Sequence, residues 1–146
     1  MPLLGGGGSG AGNPVGGGGS FTGLSESLDF IGNHVFGVGS TTSDASQGFG
    51  TILDFTTPEN SYLVVQVTCF GPVDPANPSS GEACSFSIEM NNSIIAYINI
   101  DTGQEDQPSV ETVPLVIPGG SDIVIKANAQ ASGRTMYSWI TGEIHR

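Results

Sequence analysis

Three carboxylates fall within six residues in "DTGQED": Asp101, Glu105 and Asp106. Hard cations such as calcium take several oxygen ligands of this kind. The spacing departs from the EF-hand loop, so a solvated acidic loop accounts for the run and no metal ligand is assigned. His34 and His145 stand at opposite ends of the chain, with no C-x-x-C pair or histidine cluster to build a zinc site. "GGGGSG" at 5–10 formally satisfies GxGxxG, but it follows no strand pattern and opens no helix pattern, as dinucleotide binding requires. There is no G-x-S-x-G elbow. A glycosidic carboxylate pair is selected by the fold, and nothing in the sequence singles out two of the 14 Asp and Glu. The expectation is a protein with no catalytic residues, no metal and no cofactor.

Two features have chemistry of a different kind. Tyr137 and Trp139 share one parity of "RTMYSWITGEIH", with Met136, Ile140 and Ile144 on the other. Adjacent aromatics on a sheet face stack on a sugar ring or on a neighbouring subunit, or simply cover one side of a sandwich. Cys69 and Cys84 flank a Pro/Gly-rich connection, where they either pair as a disulfide or pack as small apolar groups. "NNS" at 91–93 is a glycosylation sequon, idle without export.

Composition excludes several partners. Lys126, Arg134 and Arg146 are the only strong cations, and the formal net charge is −11. Binding to a phosphate backbone depends on Lys and Arg displacing counterions, so no nucleic-acid partner is expected. An anionic membrane surface is disfavoured for the same reason, and no apolar run reaches spanning length. The N-terminus shows no cationic region followed by an apolar stretch, which points away from secretion.

From Phe21 onward the pattern is strand and turn. The expected strands are 27–31, 34–38, 49–55, 61–70, 84–90, 94–100, 110–117, 122–129 and 134–144. "CSFSIEM" alternates Cys84, Phe86, Ile88 and Met90 against Ser85, Ser87 and Glu89, the period of a half-buried strand. Leu63, Val65, Val67 and Cys69 form one row of "SYLVVQVTCF"; Ile123, Ile125, Ala127 and Ala129 form one row of "DIVIKANA". Parity also predicts connections. A three-residue loop at 91–93 pairs Met90 with Ile94 and keeps both apolar rows on one face, because a one-residue slip inverts every side chain. A five-residue loop at 118–122 aligns Leu115 and Ile117 with Ile123 and Ile125. Residues 70–83 and 101–109 are expected to be exposed loops. The fold class is all-β: a single antiparallel β-sandwich of jelly-roll type with eight or nine strands over residues 21–146.

That domain follows an extended Gly-rich N-terminal arm, residues 1–20. Ten of its first nineteen residues are glycine. Such a segment loses more backbone entropy on ordering than any other composition, so only a partner surface can hold it. GGGGS occurs twice, as in a designed linker, but "GAGNPV" between the copies breaks the repeat and favours a natural arm. Extended, the arm spans up to about 65–70 Å. Leu3 and Leu4 are its anchoring side chains; Gly5, Gly6, Gly7, Gly8, Gly16, Gly17, Gly18 and Gly19 allow close backbone approach to a partner strand.

A Gly-rich arm ahead of an acidic, helix-poor domain resembles small jelly-roll structural proteins of bacteriophage and viral capsids. These include decoration and vertex proteins and the trimeric tumour-necrosis-factor-like heads of spikes. The stretch "VPLVIPGGSDIVIKANAQASGRTMYSWITGEIHR" carries most of this likeness. The resemblance implies a non-enzymatic virion structural protein, assembled in the host cytoplasm, a homotrimer bound to other capsid proteins through its arm. The alternative is a carbohydrate- or receptor-binding module that meets a host glycan through Tyr137 and Trp139 or the 70–83 loop.

Overall fold

The computed structural model describes residues 28–44, 46–74, 83–101 and 109–146. Residues 1–27, 45, 75–82 and 102–108 lie outside this set. The arm positions assigned above, Leu3, Leu4, Gly5–Gly8 and Gly16–Gly19, are therefore outside the described residues, as are most of both long loops. Nine strands follow in order: β1 (Asp29–Ile31), β2 (His34–Thr42), β3 (Gly50–Thr56), β4 (Tyr62–Val73), β5 (Ala83–Met90), β6 (Ser93–Asp101), β7 (Ser109–Pro118), β8 (Asp122–Ala129) and β9 (Thr135–His145). Among the described residues there is no helix.

The strands make two antiparallel sheets, ordered β1-β2-β9-β4-β7 and β3-β8-β5-β6. β5 pairs with β6, β4 with β7, β3 with β8 and β2 with β9. The chain thus doubles back at the β5–β6 turn as one long antiparallel ribbon. Rolling that ribbon closes two further seams, β4 with β9 and β5 with β8. This is the jelly roll, preceded by a short β1 on one edge. The alternating rows legible in the sequence point inward from both sheets, so Leu63, Val67, Phe86, Ile88, Ile117, Ile123, Ile125, Met136 and Ile140 are fully buried between them. Each such side chain contributes about 1.5–3 kcal/mol relative to exposure.

Two connections differ from the expected ones. Asn91 and Asn92 both adopt positive φ, 51° and 65°, and form a two-residue turn that pairs Met90 with Ser93. Asparagine tolerates the left-handed region well, and consecutive positive φ values are what this hairpin turn needs. Parity is recovered one step later: Glu89 pairs with Ile94 and Ile88 with Ala96, so Ile95 is an extra residue in the ladder. The bulge then sets Phe86 opposite Ile98 and Cys84 opposite Ile100. Burial of the two rows wins, but through a bulge and not through a longer loop.

The second difference concerns 118–122. β7 and β8 belong to different sheets, so their connection crosses the sandwich edge and is no hairpin. Their rows share parity because both point into the core, from opposite sides. Two strands also run further than expected. β4 continues to Val73 through an irregularity after Phe70. β2 continues to Thr42, where small residues let it pass close to β3: a Cβ at Gly39 would collide with the Ile52 carbonyl.

Buried hydroxyls fasten both ends of the roll. At one end Thr57 Oγ1 donates to the Pro118 carbonyl at 2.6 Å and accepts the Ser121 N–H at 2.8 Å. This ties the β3–β4 turn to the β7–β8 turn. At the other, Ser43 Oγ donates to the Ala131 carbonyl and accepts the Arg134 N–H at 3.0 Å, tying β2–β3 to β8–β9.

Candidate functional site

An antiparallel sheet with one face on the core usually turns a polar face to water. On the five-stranded sheet that face is mixed, with aromatic and aliphatic side chains set among Ser, Thr and Gln. Its outward side chains form rows across β2, β9, β4 and β7 that follow from the register: Ser40–Tyr137–Phe70–Val110, Val38–Trp139–Thr68–Thr112, and Phe36–Thr141–Gln66–Pro114. None of these twelve positions is charged. Asp29 of β1 extends the Phe36 row at the sheet edge, the next row, His34–Glu143–Val64–Val116, brings Glu143, and Tyr62 lies beyond it beside His145. Val116 is 63% exposed and Phe36 and Val38 are each 48% exposed. Exposed apolar side chains grouped on one sheet face, with few charges among them, are a feature of interaction surfaces.

Tyr137 and Trp139 stand together on this face, on the parity expected from the sequence. Tyr137 packs beside Phe70 with ring centroids 6.1 Å apart. A hollow of about 450 Å³ lies in the middle, lined by Val64, Gln66, Pro114, Val116 and Thr141 among others. Gly142 lies at its base, where the chains run so close that a Cβ would collide with the Val64 carbonyl. At the charged end, the His145 ring stacks on Tyr62 at 4.9 Å and its Nε2 lies 3.7 Å from Glu143.

The outer face of the four-stranded sheet has a different chemistry. Asp54, Thr56 and Asp122 line one side, and Lys126 is held by both Glu89 oxygens at 2.9 and 3.0 Å. Arg134 is likewise engaged, 2.9 Å from Asp74.

The cysteines are free thiols, both buried. Burial pushes the Cys69 thiol up to about 11, against a smaller opposing effect of the Ser138 hydroxyl 3.9 Å away. Burial pushes Cys84 up to about 12, with a smaller contribution from Cys69. They pack as apolar groups, which resolves the two alternatives left open by the sequence. Asp101 closes β6, while Glu105 and Asp106 lie outside the described residues. Among the described residues no three His, Cys, Asp or Glu side chains converge as metal ligands.

Most of the apolar face was missed from sequence. The signal was present in "SYLVVQV", where Tyr62 and Val64 oppose Leu63 and Val65, so that both parities are apolar. That pattern implies cover on both faces. Phe36, Val38 and Val116 join the same surface only because β2, β4, β7 and β9 are neighbours, which no local spacing reveals.

No family model and no curated protein sequence matches the chain. Among solved structures it is similar to the Eiger TNF of S. frugiperda, with 14% identity and a TM-score of 0.39, over 75% of this chain and 90% of that one. It is similar also to the GH26-CBM35 β-(1,4)-mannanase of Podospora anserina, with 10% identity and a TM-score of 0.40, over 80% of this chain and 28% of that one. Latent PorU of Porphyromonas gingivalis gives 10% and 0.40, over 84% of this chain and 14% of that one. The chain spans under a third of the length of the last two.

Proposed function

We propose that the chain is a non-enzymatic structural protein of a virus particle, a capsid decoration or vertex protein that self-associates as a homotrimer and is tethered by residues 1–20 to neighbouring shell subunits. The observation that supports it is the uncharged, aromatic outer face of the five-stranded sheet.

The occupant we assign to that face is a second copy of this chain. Each copy carries a formal charge of −11, so copies repel wherever their carboxylates meet. Across β2, β9, β4 and β7 three adjacent rows offer an approach with no carboxylate, Asp29 of the short β1 standing at the edge of the third. Four strands about 4.8 Å apart and three rows about 6.7 Å apart make a face of about 400 Å². That is about half of the ~800 Å² per partner of a stable interface, so the rest of the contact comes from the rows and edges around it. The copy number of three follows the resemblance of the sequence. Lys126 and Arg134, both committed to carboxylates, leave little for phosphate, which agrees with a place on a particle away from its genome. On this reading Tyr137 and Trp139 contact a neighbouring subunit and not a sugar, and the protein resides in the virion after assembly in the host cytoplasm.

The arm supplies the tether: side-chain-free backbone adds to an exposed strand edge, with Leu3 and Leu4 as terminal anchors. Assembly of particles with a chain lacking residues 2–20 tests this. The truncated protein is expected to fold and to be missing from purified particles. Incorporation equal to that of the full chain contradicts the tether.

A further inference from the structure

The four-stranded sheet carries a second, separate site at one corner of its outer face. The register sets Asn99, Ser85 and Asn128 in one row across β6, β5 and β8. Ser85 Oγ donates to Asn99 Oδ1 at 2.7 Å, which fixes the Asn99 amide. Gln130 follows Asn128 by two residues. Over this polar floor stand two exposed rings, Phe49 from the approach to β3 and Tyr97 from β6. Their centroids are 6.2 Å apart and their planes inclined at 54°. Together these groups line a cleft of about 400 Å³, within the range of small-molecule sites.

One atom beneath the cleft floor is unsatisfied. Asn128 Oδ1 is buried and has no hydrogen-bond partner, the one such side-chain oxygen or nitrogen among the described residues. A buried acceptor without a donor is costly, so native structures seldom keep one without a reason.

We infer that this cleft binds a neutral saccharide. The chemistry selects that class on three counts. Aromatic faces receive the apolar C–H face of a sugar ring, and Phe49 and Tyr97 are 41% and 53% exposed for the purpose. Amide and hydroxyl groups at the floor pair with sugar hydroxyls as both donors and acceptors. No charged side chain lines the cleft, and the nearest cation, Lys126, is held by Glu89. In a chain of charge −11 that disfavours sialylated, sulfated or phosphorylated ligands. The site does not rest on the oligomer proposed above, although covering the five-stranded sheet would leave this sheet facing outward.

The test uses the full-length chain against methyl glycosides of galactose, glucose and mannose and of N-acetylglucosamine, with sialyllactose as the charged comparison, read by saturation-transfer NMR and titration. At least one neutral glycoside is expected to bind in preference to sialyllactose. Tyr97→Ala and Asn128→Ser act at different points of the cleft, so misfolding of one leaves the other informative. Each is expected to weaken binding by about tenfold or more with an unchanged circular dichroism spectrum. Trp139→Ala, on the other sheet, is expected to bind as wild type. Absence of binding to every neutral glycoside, preference for sialyllactose, or full binding by both cleft variants overturns the assignment. Sedimentation of the same samples separates this result from the oligomer: binding by a monomeric chain keeps the cleft and discards the trimer.

Discussion

The Phe70 and Tyr137 rings lie on adjacent strands with centroids 6.1 Å apart and planes inclined at 40°, one row from Trp139. They and their neighbours give the sandwich an aromatic surface on its outside. Trp139 is the sole tryptophan, so its emission reports on this face alone. At concentrations where copies associate, the emission maximum is expected at shorter wavelength, moving to longer wavelength on dilution as water reaches the ring. An emission spectrum that stays constant while the mass changes would place the subunit contact elsewhere.

The Thr57 hydroxyl is a structural fastener and its removal has a defined cost. Thr57→Val preserves volume but strands the buried Ser121 N–H and takes a donor from the partly buried Pro118 carbonyl. A loss of about 2 kcal/mol is expected, or roughly 4–8 °C in Tm for a chain of this size. Ser46→Ala, which removes an exposed hydroxyl bonded only to Asp44, is the control and is expected to change stability by less than about 0.5 kcal/mol. Equal effects in thermal melts would mean that the two turns are not held through Thr57.

The buried thiols predict both reactivity and pH dependence. With Cys69 pushed up to about 11 and Cys84 to about 12, little thiolate exists at pH 8, so a disulfide reagent should label the native chain slowly and the unfolded chain at two sites. In the unfolded chain both thiols ionise near 9, while in the folded chain they hold their protons to higher pH. Folding stability is therefore unaffected by the thiols below pH 9 and falls as pH rises from 9 toward 11–12. Denaturant midpoints at pH 8 and 10.5 measure this fall, and Cys69→Ala with Cys84→Ala should reduce it. An undiminished fall in the double variant would assign it to other groups.

Particular residues show how far the sequence could be read. All nine strands were legible because rows such as Phe86–Ile88 and Ile123–Ile125 alternate with a period of two, the direct mark of a half-buried sheet. The Asn91–Asn92 turn was misjudged because burial was allowed to decide the loop length. The two asparagines adopt consecutive positive φ, and the bulge at Ile95 settled the parity afterwards. The β7–β8 connection was misjudged for a related reason, since two rows of equal parity face one core whether their strands pair or oppose. The sugar cleft was invisible. Tyr97 and Asn99 lie two residues apart on β6, and Asn128 and Gln130 two apart at the end of β8. Only the pairing of both strands with β5 makes them one site, and that pairing spans some 30 residues of chain.

Self-association through the five-stranded sheet is the central claim, and sedimentation equilibrium of the full-length chain tests it most directly. The wild-type protein, 14.9 kDa per chain, is expected to sediment as three copies. Val38→Asp and Val116→Asp, placing a carboxylate within the uncharged rows and on the row that borders them, are expected to sediment as single chains with unchanged circular dichroism. A wild-type monomer at every concentration, or trimers that survive both substitutions, would contradict it.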